Sequence, residues 1–167
     1  MNFSLRPWSL NDVDNLIKFA NNYNVAKFMM DQFPHPYGIE NGKMFISNAT
    51  KDTPLRFFAI EVNGNAAGGI GIHPLTDILR KNAELGYWLA EPYWGKGIMT
   101  KAVIQMVEYG FKSFDINRIF ARPFGTNIGS QKVLEKAGFV LEGRFEKTFL
   151  KNGEYIDELV YAVRREN

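Results

Sequence analysis

The chain contains no cysteine, which excludes disulfides, thiolate-held zinc and a cysteine nucleophile. Histidine is almost as scarce: only His35 and His73 are present, and neither lies in an acidic-x-His grouping suited to a metal. No window holds 18 consecutive apolar residues, so no membrane span is expected. The first residues, MNFSLRPWSLNDVDN, turn polar too early for the apolar stretch of a signal peptide, and a cytoplasmic location is the expectation. The formal charge is +2, with Lys and Arg spread along the chain. So small and scattered an excess argues against a nucleic-acid partner.

What is present is an ordinary globular composition. At 167 residues, 46% hydrophobic and 23% charged, the chain reads as one domain that buries roughly two-thirds of its unfolded surface. Fourteen Phe and three Trp supply rings for a groove as well as for a core. FSLRP at 3–7 reads as a short strand. Ser9 then caps a helix whose apolar residues Leu10, Val13, Leu16, Ile17 and Ala20 recur at helical spacing. The prolines of VAKFMMDQFPHPYG argue for a loop after a short helix, and IENGKMFISNAT reads as a further helix. Strand patterns cover 55–62, 66–72 and 83–90, with Asn63-Gly64 as a hairpin turn. A helix over 98–114, a strand at 118–124 and a helix stopped by Gly138 come next. A second long hairpin around Asn152-Gly153 closes the chain. The order predicts an α+β fold with a mixed sheet.

The stretch YWGKGIMTKA places Gly95 and Gly97 in a bend that opens a long helix. Such a bend leaves several backbone N–H groups without intrahelical partners, and the helix dipole adds positive potential there. Glycine lets an anion approach the main chain, Lys96 adds charge, and no acidic cap competes. The alternative is a tight connection whose amides are met by water. A Walker A loop is excluded because Gly97 follows Gly95-Lys96, and a dinucleotide fingerprint fails because position 100 is Thr.

NAELGYWLAEPYWGKGIMTKAV together with NIGSQKVLEKAGF resembles the GNAT acetyltransferases, in particular their RimJ/RimL-like branch, over nearly the whole chain. The family pattern at the turn is Gln/Arg-x-x-Gly-x-Gly/Ala. Here it reads Trp94-Gly95-Lys96-Gly97-Ile98-Met99, with Trp94 in the polar position and Met99 in the small one. The resemblance implies a GNAT-like fold, with a mostly antiparallel mixed sheet of about seven strands flanked by about four helices. It also implies acetyl-CoA, with its pyrophosphate on the backbone amides of Gly95, Lys96, Gly97, Ile98, Met99 and Thr100. Main-chain groups of Trp88, Leu89 and Ala90 would bond the pantetheine arm in a gap between 83–90 and 118–122.

Acetyl transfer to an amine needs a neutral amine, charge stabilisation at the carbonyl and a proton for the leaving thiolate. The resemblance puts Glu84 at the amine, as base or as anchor for a cation; an ordinary strand carboxylate is the plain alternative. Asn127 is a helix cap, a cofactor contact or both. Ser130 matches the position from which this branch is thought to protonate the CoA sulfur, since Leu134 stands where other members carry tyrosine. Phe33, His35 and Tyr37 lie in a ring-rich loop suited to wall an acceptor pocket. The acceptor is expected to be a protein N-terminal amine or a small-molecule amine, and an exposed strand edge leaves a homodimer open. A non-catalytic acyl-CoA-binding module would need the glycine turn but neither Glu84 nor Ser130.

Overall fold

In a computed structural model, described here for residues 1–166, seven strands form one sheet in the order β1-β2-β3-β4-β5-β7-β6. The strands are β1 (Phe3–Arg6), β2 (Phe57–Val62), β3 (Asn65–Pro74), β4 (Asn82–Leu89), β5 (Arg118–Ala121), β6 (Val140–Lys151) and β7 (Glu154–Arg164). The helices are α1 (Val13–Ala20), α2 (Tyr23–Ala26), α3 (Ile39–Ala49), α4 (Ile98–Ser113) and α5 (Ile128–Lys136). The expected α+β architecture is observed, with four helices longer than two turns. No described helix is long and apolar enough to cross a membrane. Residue contacts divide the chain into two units, Met1–Gly71 with Tyr87–Ala102, and Ile72–Gly86 with the chain from Val103 onward.

In the first unit, β1 pairs antiparallel with β2, and β2 with β3 through the Asn63-Gly64 turn. Both turn residues have positive φ, 52° and 77°, the conformation that favours Asn-Gly there. Ser9, the expected cap, accepts from Asn11 N–H, and Asp12 accepts from Ser9 N–H, which makes a capping box. The segment it caps begins as one 3-10 turn, Leu10–Asp12, so α1 starts three residues later than the periodicity suggests. The core gathers Trp8, Leu16, Ala20, Tyr37, Ile46, Ala59 and Trp88, all buried.

In the second unit, β4 pairs in parallel with β5 through Asn82–Arg118, Ala83–Ile119 and Glu84–Phe120. β5 and β6 both flank β7 antiparallel. Gly110, a weak helix former, is required inside α4: a Cβ there would come 2.6 Å from Ile72 Cδ1 and 3.1 Å from Ile119 Cδ1. Close approach of helix to sheet thus outweighs the roughly 1 kcal/mol that glycine costs in a helix. The final hairpin turns at Asn152-Gly153, again with positive φ at both residues.

Candidate functional site

The glycine turn belongs to the first unit. Ala90 closes β4, a 3-10 turn covers Glu91–Tyr93, and α4 begins at Ile98. Gly95 and Gly97 have φ of 72° and 74°, and a Cβ on either would meet nothing within 4 Å. Glycine is therefore needed for backbone conformation, while the space beside the main chain stays open. Trp94 N–H donates to Glu91 O at 3.1 Å and Lys101 N–H to Gly97 O at 3.3 Å. Between them, the amides of residues 97 to 100 are the donors that the N-terminus of α4 leaves over, and those of 95 and 96 belong to the bend. Ile98 and Met99 bury their side chains, so what they offer a ligand is backbone. Side chains, dipole and open space together suit a diphosphate.

Two neighbours of the turn differ from expectation. Lys96 is tied back, its Nζ donating to Pro92 O at 2.8 Å and lying 5.6 Å from the Tyr93 ring centre. Trp94, in the family's polar position, donates its indole N–H to Leu89 O at 2.7 Å. That bond braces the loop on the strand it leaves. The Ala90 N–H is committed to Ala67 O at 2.8 Å. Within Trp88–Ala90 that amide therefore serves the sheet, and Leu89 O already has one donor.

The aromatic loop of the first unit is split between core and surface. Tyr37 is 5% exposed and sits in the core, where burial pushes its phenol up to about 12. Its ring packs in the same buried cluster as Trp88. Phe33 is half-buried, with its centroid 5.2 Å from Tyr37 and 5.7 Å from Trp88. His35 is exposed and lies against Tyr23 at 5.9 Å.

The second unit holds Glu84, Asn127 and Ser130. Glu84 is half-buried and gripped in bidentate fashion by Arg122, Nε to Oε1 at 2.8 Å and Nη2 to Oε2 at 3.2 Å. Arg122 Nη1 lies 3.5 Å from Glu158 Oε1 on β7. These carboxylates hold the guanidinium above its ordinary pKa, the Glu84 hydrogen bond first. Sequence reasoning missed Arg122; the available signal was its place just past β5, the strand paired with the one carrying Glu84. The three groups carry one net negative charge. Glu158 and Asp157, both on β7, are ion-paired, Asp157 with Arg144 at 2.6 Å.

Asn127 is the N-cap of α5, its Oδ1 accepting from Ser130 N–H at 3.1 Å. The preceding loop is stitched to β7 by Gly125 N–H to Asp157 O at 2.8 Å and Leu159 N–H to Pro123 O at 3.1 Å. Gln131 Nε2 adds a bond to Gly125 O at 3.1 Å. Ser130 is thereby fixed on the first turn of a rigidly docked helix.

Residues 2–140, which run through both units, match the family described as "Acetyltransferase (GNAT) domain". The chain is 29% identical over 139 residues to the SPbeta prophage-derived uncharacterized N-acetyltransferase YokL of Bacillus subtilis, covering 82% of this chain and 77% of that protein. It spans about half the length, 55% and 54%, of two other curated relatives from the same organism. Among solved structures, the microcin C7 self immunity acetyltransferase MccE in complex with acetyl-CoA and AMP superposes with a TM-score of 0.83 at 26% identity, covering 98% of this chain and 92% of that one. RimJ of Mycobacterium smegmatis in complex with CoA-disulfide also reaches 0.83, at 25% identity, covering 97% and 81%.

Proposed function

The chain belongs to the GNAT acetyltransferase family, and from that premise we propose that it is an N-acetyltransferase of the RimJ/RimL-like branch, acting by direct attack of a primary amine in a ternary complex. Dependence on acetyl-CoA and acetylation of an amine come with the family and with its CoA-bound structural neighbours. The branch assignment is supported by the likeness to RimJ and by the Trp94-Gly95-Lys96-Gly97 form of the turn. Direct attack is supported by the lack of cysteine, which leaves no thiol to carry the acetyl group.

The observation that carries the reading is the left-handed Gly95–Gly97 bend opening onto α4. Acetyl-CoA, when bound, supplies the activated thioester; the chain supplies the grip and the proton management. The amides of residues 95–100 hold the diphosphate. Glu84 receives the acceptor amine. Both its oxygens already accept from Arg122, so it first holds the ammonium by hydrogen bond; the ammonium then gives a proton to water, and the neutral amine forms the C–N bond as the C–S bond breaks. The net negative charge of Glu84, Arg122 and Glu158 favours an acceptor that arrives as a cation, whether a protein N-terminus or a small amine. Ser130 holds a hydroxyl on the first turn of α5, where it donates toward the departing sulfur.

Calorimetry with acetyl-CoA, followed by thiol release with a panel of amines, tests the assignment. The expected result is one cofactor per chain and turnover that requires an amine. Ser130→Ala is expected to lower kcat about fivefold with cofactor affinity unchanged, the scale of one modest proton or hydrogen-bond contribution. Cofactor uptake without amine-dependent turnover would identify a sensor and overturn the transferase.

A further inference from the structure

The loop between β4 and α4 is held in shape by residues far away in sequence. Asn22 Nδ2 donates to Glu91 Oε2 at 2.8 Å across 69 positions. Asn24 Nδ2 donates to both Glu91 oxygens, at 3.0 Å to Oε1 and 3.2 Å to Oε2. The asparagines are themselves oriented: Asn22 Oδ1 accepts from Asn24 N–H at 2.8 Å, and Asn24 Oδ1 accepts from Lys27 Nζ at 3.1 Å. A second tie lies two residues on, where the Tyr93 ring meets Phe19 at 6.1 Å. All these contacts lie within the first unit.

We propose that Glu91 is a positioning residue for cofactor binding: clasped by Asn22 and Asn24, it fixes the loop so that the amides of residues 95–100 converge before a diphosphate arrives. The inference rests on the diphosphate reading of the glycine turn. Its physical basis is entropy. Gly95 and Gly97 lose more backbone freedom on ordering than any other residue type. A loop ordered in advance spends that cost on folding, and an unclasped loop spends it on binding. A carboxylate four positions before a diphosphate site is also electrostatically adverse, so its presence calls for a compensating role. The two carboxamides supply it, and their hydrogen bonds hold the Glu91 carboxyl below the ordinary carboxylate range.

The test is a swap measured by calorimetry with CoA. Glu91→Gln places an NH2 group opposite the Asn24 NH2 group and is expected to raise the Kd for CoA about tenfold. The KM for acetyl-CoA should rise in parallel, with the amine KM and saturating kcat within twofold of wild type. Asn24→Ala, which leaves the loop's own sequence intact, is expected to weaken CoA binding similarly. Combining Glu91→Gln with Asn24→Asp restores a donor opposite an acceptor and keeps Lys27 paired; this double variant is expected to regain most of the lost affinity. A Kd within twofold of wild type in both single variants overturns the clasp. So does a weakened Glu91→Gln that Asn24→Asp fails to rescue, because the pairing between positions 91 and 24 would then not be what sets the affinity. Failure of the wild type to bind CoA is a separate outcome, which removes the diphosphate reading and this inference with it.

Discussion

Two arginines each lie between two carboxylates: Arg6 between Asp12 and Glu61, and Arg122 between Glu84 and Glu158. They share residue types and near-identical contacts, yet their surroundings differ. Asp12 is buried, pairs bidentately with Arg6 at 2.8 Å, and also accepts from Ser9 N–H at 2.9 Å inside a capping box. Its lone pairs are largely spent on holding β1 to the start of α1. Glu84 and Glu158 both pair with the one guanidinium of Arg122, and these three side chains keep more solvent contact than Asp12 does, at 25%, 15% and 34% against 9%. Burial of Asp12 and its bond to a backbone amide build the first cluster into the fold; the role proposed for the second is to meet a ligand. A salt bridge declares its role through what else its oxygens hold.

This contrast predicts which quantity each substitution moves. Asp12→Ala is expected to have the largest effect, about 3 kcal/mol of folding stability by urea or thermal unfolding, because it strips a buried partner from Arg6 and removes a cap. The catalytic constants of the folded protein should stay within twofold. The loss also carries a pH signature. Arg6, with the Ser9 amide assisting, holds the Asp12 carboxyl below its ordinary pKa, so the folded state binds fewer protons than the unfolded one. Stability from this group is complete above the ordinary carboxylate range and is lost as pH falls through the lowered folded value. The gap between wild type and variant should therefore narrow in acid; a constant gap would mean that neither the ion pair nor the cap depends on the ionised carboxylate.

Glu84→Gln is expected next, at about thirtyfold in kcat/KM for the amine, or about 2 kcal/mol. Most of it should fall on the amine KM, with unfolding changed by less than about 1 kcal/mol, as for partly exposed pairs. Loss concentrated in kcat would make Glu84 the base rather than the anchor. The smallest and sharpest comparison is Arg122→Met against Arg6→Met. The former is expected to lower kcat/KM for the amine about tenfold while stability holds, and the latter to lower stability while kinetics hold. If both arginines behave alike in both assays, the distinction drawn between the clusters is wrong.

Much of the architecture is legible without coordinates. The two Asn-Gly turns, the Ser9–Asp12 cap, the Asn127 cap and the Gly138 stop are local rules, set by backbone sterics and hydrogen bonds within a few residues. The start of α4 at residue 98 follows from the same logic. Less legible were Tyr37, which is core, and Trp94, whose indole N–H ties the loop to Leu89 O. Neither duty shows in a residue's identity, because each depends on a partner several or many positions away.

By itself, then, the amino-acid order determined the elements, the glycine bend and its donors, since conformational preference acts over short distances along the chain. Only tertiary structure decided that Arg122 occupies Glu84 and that Glu91 is gripped from 69 residues upstream. Those are pairings between side chains, and which partners meet is set by the pairing of strands and the docking of helices that bring distant residues within 3 Å.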